Sequence, residues 1–136
     1  MTPVRTALAV ALLVGLSACS NDTSTPVSPT TVPSTSFTYA TTFTVNGAVT
    51  RTFDQISTGT VSMTLTSVTP DVALGFGVGI PRIGSTGCNL TRSVVVKAGT
   101  TPQLSLTAEP GLYCVRVWDP GTITDRVSFS LSVQHN

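Results

Sequence analysis

Charge is scarce in this sequence. Only 10% of the residues are charged, seven Lys plus Arg against six Asp plus Glu, for a formal net charge of +1. No run of Lys and Arg stands anywhere in the chain, so the electrostatic footprint that holds nucleic acid is missing and no nucleic-acid partner is expected. Helix formers are also few. Residues 37–136 hold one Lys, one Glu, one Met and five Ala, and no apolar stripe of useful length recurs at helical spacing. A phosphate-cradling glycine loop ahead of a helix is excluded with the helices. There is one histidine, His135, a single residue from the end. A fraying terminus is a poor seat for a general base, so neither a Ser-His-Asp nor a Cys-His site is expected. Low charge combined with 40% hydrophobic residues argues against disorder of the whole chain. The apolar run Ala7–Leu16 has ten residues, half of the about 20 that a membrane-spanning helix needs.

That run follows Arg5 and ends in Leu16-Ser17-Ala18-Cys19. A basic residue, a short apolar core and small residues before a cysteine resemble the lipobox of bacterial lipoproteins. The resemblance implies a signal peptide over residues 1–18, cleavage before Cys19, a diacylglycerol on the Cys19 thiol and an acylated amine. The anchor is physically reasonable: one acyl chain binds membrane only marginally, whereas two or three hold. The competing reading is an ordinary secretory signal that leaves Cys19 a free thiol. Ser20 after the cysteine points, by the same resemblance, to the outer membrane of a two-membrane cell; otherwise the expected place is the outer face of the plasma membrane. Removing Arg5 leaves six basic and six acidic groups, net zero.

Residues 19–36 read as the lipidated cysteine and a tether. Ser20–Ser36 is dominated by Thr, Ser and Pro, with Asp22 as its one charge, too polar to pack. Pro26, Pro29 and Pro33 favour extended geometry and block sheet ladders. Such a segment spans roughly 23 Å as a coil and at most about 53 Å as polyproline. It serves either as a spacer from the lipid surface or as a passive linker.

Residues 37–136 form the expected folded domain. They contain 18 Thr, 13 Val and 4 Ile, β-branched residues that suit a pleated surface. Apolar residues alternate with polar ones at Phe37, Tyr39, Phe43 and Val45; at Val49 and Phe53; at Val61, Met63 and Leu65; and at Leu74, Phe76, Val78 and Ile80. Further runs are Val94–Val96, Leu104 and Leu106, Tyr113, Val115 and Val117, and Val127, Phe129, Leu131 and Val133. Asn46-Gly47 between the first two runs predicts a hairpin. About eight short strands with one apolar face each predict an all-β antiparallel sandwich.

Setting Cys19 aside for lipid, Cys88 and Cys114 remain as an even pair in an exported protein, which predicts a disulfide. Two isolated thiols without a nearby histidine make a poor zinc site. Cys114 alternates with Tyr113, Val115 and Val117, so its side chain should point to the opposite, outer face. The bridge is expected to pin a loop carrying Cys88 across that face.

Gly111-Leu112-Tyr113-Cys114-Val115-Arg116-Val117, followed by Phe129-Ser130-Leu131-Ser132-Val133, resembles the ending of bacterial pre-peptidase C-terminal domains. Phe129 stands where that family has Tyr. Thr60–Leu65 and Asp71–Leu74 fit its earlier segment, and small uncharacterised bacterial lipoproteins with a paired cysteine are similar too. The resemblance implies a jelly-roll-like sandwich. Some pre-peptidase-type domains bind calcium through acids at this strand, of which Asp71 alone remains here, so no metal and no cofactor are expected.

Candidate chemistry is thin. Asp54, Asp71, Glu109, Asp119 and Asp125 would serve glycoside hydrolysis if two of them came within about 5–10 Å of each other; the competing reading is that Asp71, Asp119 and Asp125 are turn residues. No enzymatic activity is expected, a hydrolase being the remote alternative. Trp118 shares the outer set with Cys114 and Arg116; it either stacks on a sugar with Arg116 or covers the disulfide. Gly75, Gly77 and Gly79 leave one side of their strand bare, open to a flat ligand or to another backbone. The expected protein is therefore a lipid-anchored envelope module that binds a glycan or an envelope protein, or else a structural accessory without a small ligand.

Overall fold

In a computed structural model, residues 33–136 are described. The expected signal peptide, the Cys19 anchor and the tether up to residue 32 lie outside them. Eight strands follow one another: β1 (Thr35–Phe43), β2 (Ala48–Gln55), β3 (Gly59–Thr69), β4 (Leu74–Pro81), β5 (Cys88–Val96), β6 (Leu104–Ala108), β7 (Gly111–Trp118) and β8 (Val127–His135). β1 begins two residues ahead of the expected Phe37, because Thr35 and Ser36 pair with His135 and Gln134.

The strands form two four-stranded sheets, ordered β1-β8-β3-β6 and β2-β7-β4-β5, and the pairings are antiparallel. Successive strands alternate between the sheets except for β4 and β5, which are joined as a hairpin. This is the jelly-roll arrangement of two interleaved Greek keys, and it confirms the all-β sandwich expected from the alternating pattern.

The alternation decides which side chains meet. Val61, Met63 and Leu65 of β3 and Val127, Leu131 and Val133 of β8 are fully buried, facing Leu74, Phe76 and Val78 of β4 and Val115 and Val117 of β7. Removing each from water contributes about 1.5–3 kcal/mol before chain entropy is counted. The opposite face of the first sheet carries Thr38, Ser128, Ser130, Ser132, Ser62, Thr64 and Ser105 in register, and none of these is charged.

Asn46-Gly47 does not make the expected hairpin. β1 pairs with β8 and β2 with β7, so the turn carries the chain from one sheet to the other. Asn46 has φ 57 and the Gly47 N–H donates to the Thr44 carbonyl at 2.8 Å, a turn with positive φ at its third residue. The Asn-Gly signal reports the turn correctly; which strands then pair is decided by distant partners.

Two arginines bridge the open edges of the sandwich. Arg51 of β2 donates from Nη1 to the Thr38 carbonyl of β1 at 3.3 Å, and its guanidinium lies 4.5 Å from the Phe37 ring centre, within cation–π range. Arg92 of β5 donates from Nη1 to the Ser105 carbonyl of β6 at 3.0 Å. Burial pushes the Tyr39 phenol up, while the neighbouring Arg51 charge pulls it the other way.

Candidate functional site

The glycine strip of β4 and the disulfide form one construction. Cys88 and Cys114 are bonded, with Cα atoms 5.9 Å apart, inside the usual range for a bridge. β5 and β7 are not neighbours, because β4 lies between them. Gly79 pairs with Cys114 on one side and Leu90 on the other, and the β4–β5 register shifts there. A methyl group on Gly79 would overlap the Asn89 carbonyl and stand 2.7 Å from the Leu90 Cα. The missing side chain thus lets β5 cross over β4 and deliver Cys88 to Cys114. Cys114 does point away from Val115 and Val117, as expected. It is fully buried because a strand covers it, β5 having replaced the loop anticipated around Cys88.

The rest of the strip is roofed in the same way. A Cβ on Gly77 would stand 2.5 Å from the Arg92 carbonyl and 2.7 Å from the Ser93 Cβ, and one on Gly75 would overlap the Trp118 ring. Gly75, Gly77 and Gly79 are therefore filled from within the chain, which leaves no bare platform for a flat ligand. Trp118, half-buried, lies over Gly75 and not over the disulfide, which is four residues away along β7. Arg116, also half-buried, pairs with Gly77 and with Thr50.

A cleft that the sequence pattern does not reveal opens where β5 and β6, the edge strands of the two sheets, run beside each other. Its larger part, about 670 Å³, is lined by Thr60, Thr91, Arg92, Ser105, Leu106 and Thr107. A smaller part of about 230 Å³ shares Thr91, Leu106 and Thr107 and extends to Ile80, Glu109 and Tyr113. Leu106 faces inward by alternation yet is only half-buried, because it borders the cleft. The Tyr113 hydroxyl donates to the Glu109 carbonyl at 3.1 Å, fixing the ring at the narrow end. The lining joins four hydroxyl-bearing residues and an arginine to Leu106 and Tyr113, a mixture of polar and apolar groups of the kind that orients a small polar ligand.

The acids are dispersed among structural partners. Asp71 pairs with Lys97 at 2.9 Å on the open surface. Thr58 donates to the Glu109 carboxylate at 2.7 Å, and the Arg126 N–H to Asp125 at 2.6 Å. Asp119 Oδ1 accepts from the N–H groups of Gly121, Thr122 and Ile123, and Oδ2 from that of Asn46. Desolvation opposes ionisation there, but the four donors prevail and hold the carboxyl below its ordinary value. Among the described residues no group of three or more His, Cys, Asp and Glu is placed to hold a metal ion.

His135 is not frayed. It ends β8 as a buried residue, its ring 5.0 Å from that of Phe53 and 5.7 Å from that of Phe37. Gln55 of β2 accepts from the Asn136 N–H at 3.1 Å, and the Ile56 N–H donates to the Asn136 carbonyl at 2.7 Å. These bonds tie the last residues down, so His135 serves an aromatic cluster.

No family model and no curated protein matches this chain. A solved structure of the Yersinia pseudotuberculosis-derived mitogen is similar in fold, with a TM-score of 0.50 and 15% identity over 75% of this chain and 86% of that one. At that identity the likeness concerns the sandwich alone.

Proposed function

We propose that this chain is a lipid-anchored envelope protein that presents a non-catalytic jelly roll, and that its ligand is a sugar chain lying in the β5–β6 cleft. The observation that carries the ligand reading is the cleft's lining. Thr60, Thr91, Ser105, Leu106 and Thr107 line it, and Arg92 crosses it to the Ser105 carbonyl. Polyhydroxylated rings are held by many neutral hydrogen bonds around one apolar contact, and short hydroxyl side chains provide both donor and acceptor. The anchor rests on the apolar run Ala7–Leu16 and the Leu16-Ser17-Ala18-Cys19 motif, and an exported chain agrees with the Cys88–Cys114 disulfide. The outer membrane is the expected address in a two-membrane cell. The likeness of β7 and β8 to the ending of pre-peptidase C-terminal domains, which are appended to secreted enzymes, supports an accessory role.

A glycan array followed by titration calorimetry tests this reading. Saturable binding is expected, weakened about tenfold or more by Thr91→Ala with Thr107→Ala, the equivalent of losing roughly 1.4 kcal/mol. Binding that survives these changes and disappears with Trp118→Ala would move the ligand to the outer face of the second sheet. A blank array would favour a structural accessory without a small ligand.

A further inference from the structure

We infer that the end of the jelly roll where β1 begins is a lipid-docking surface, on which Ile56 and Ile83 insert into the membrane that holds Cys19. The inference rests on the lipid-anchor reading above. The register places β1's Thr35, β8's His135, the β2–β3 and β6–β7 connections and the β4–β5 hairpin at one end of the sandwich. Six large aliphatic side chains are exposed among the described residues, and four of them lie at that end: Ile83 at 104%, Ile56 at 76%, Ile80 at 58% and Leu112 at 52%. Val45 is at the opposite end, and Val95 lies on β5 towards it.

Ile83 stands at the tip of the β4–β5 hairpin, which the Arg82 N–H closes by donating to the Gly87 carbonyl at 3.0 Å. The next residue, Gly84, has φ 75 and open space around it, so the hairpin presents Ile83 outward with nothing of the chain over it. Ile80 also lines the β5–β6 cleft, but Ile56 and Ile83 stand in connections at the same end, and exposed apolar side chains concentrated in one region mark an interaction site, whereas scattered ones need no explanation.

The occupant follows from where the chain enters. Cys19 precedes Thr35 by 16 residues, so the bilayer that holds the anchor lies within about 50 Å of this end. The charges here are Arg82, Asp54 and Glu109, the last accepting a hydrogen bond from Thr58. That set offers no net attraction for anionic headgroups. Docking is therefore driven by apolar insertion and proceeds on zwitterionic lipid without salt dependence.

The test uses the full lipidated chain in phosphatidylcholine vesicles containing brominated acyl chains. Ile83→Trp in a Trp118→Phe background places a fluorescent reporter at the hairpin tip, and Ile56→Trp in the same background supplies a second should the first not fold. The expected result is a blue-shifted reporter quenched by about half, equally at low and high salt. Trp118 of the unsubstituted chain, at the far end of β7, should stay unquenched. A chain that floats with the vesicles but leaves both reporters unquenched would overturn the docking surface while the anchor stands. A chain that does not float would remove the anchor and the docking together.

Discussion

Cys88 and Cys114 are joined across a strand that contains neither of them. β4 runs between β5 and β7, and Gly79 is the β4 residue that pairs with Cys114 while the β5 backbone crosses it. The bridge and the glycine are two parts of one closure, and each has a separate measurable consequence.

Replacing both cysteines by serine removes a cross-link over 26 residues, and chain entropy puts the loss at about 3.5 kcal/mol. The melting midpoint should fall by more than roughly 10 °C in a domain of this size. Calorimetry of the native and doubly substituted proteins measures it; an unchanged midpoint would mean that the bridge is incidental to the fold.

Gly79→Ala should destabilise by about 1–3 kcal/mol through overpacking, since the added methyl group meets the Asn89 carbonyl, a backbone atom that cannot swing away. Chemical denaturation gives the number. Because β5 must lift for the methyl to fit, Cys88 and Cys114 should also be reduced faster than in the parent. Parental stability together with parental reduction kinetics would contradict the crossing of β5 over β4.

Gly75→Ala displaces the Trp118 ring, which occupies that space. The expected outcome is a red-shifted tryptophan emission and a modest loss of stability, about 1 kcal/mol. An unshifted spectrum would show that the ring does not rest on Gly75.

The strands, their inward faces and the pairing of the cysteines were legible because each depends on local alternation or simple counting: Val61, Met63 and Leu65 are buried for the reason that makes them alternate. Partner choice was not legible. The Asn46-Gly47 turn looks the same whether its flanking strands pair or part, and here distant partners in β7 and β8 decide. The first half of β5, Asn89 to Ser93, was missed because an edge strand that crosses its neighbour buries little and shows no apolar face. The cleft was missed for the same cause, since Thr91 and Thr107 become neighbours only once β5 and β6 are known to be the facing edges. His135 looked like a loose end by position, and only the bonds of Asn136 to Gln55 and Ile56 hold it in place.

Asp119 makes stability depend on pH in a defined direction. Its carboxyl is held below the ordinary value by four backbone donors. A group whose folded value is depressed contributes stability above its unfolded value and loses it as pH falls through the folded one. The midpoint should therefore decline on acidification below about pH 4. Asp119→Asn should lower the midpoint at neutral pH and flatten that decline. An unchanged acid limb in the variant would show that other carboxylates govern it.

The most direct test of the whole account is the intact mass of the protein taken from cell envelopes and alkylated without reduction. The account predicts a chain that begins at Cys19, carries diacylglycerol and further acyl mass, and takes up no alkylating agent, because Cys88 and Cys114 are bonded and Cys19 is blocked. An uncleaved chain beginning at Met1, with three alkylated cysteines and no lipid, would contradict it.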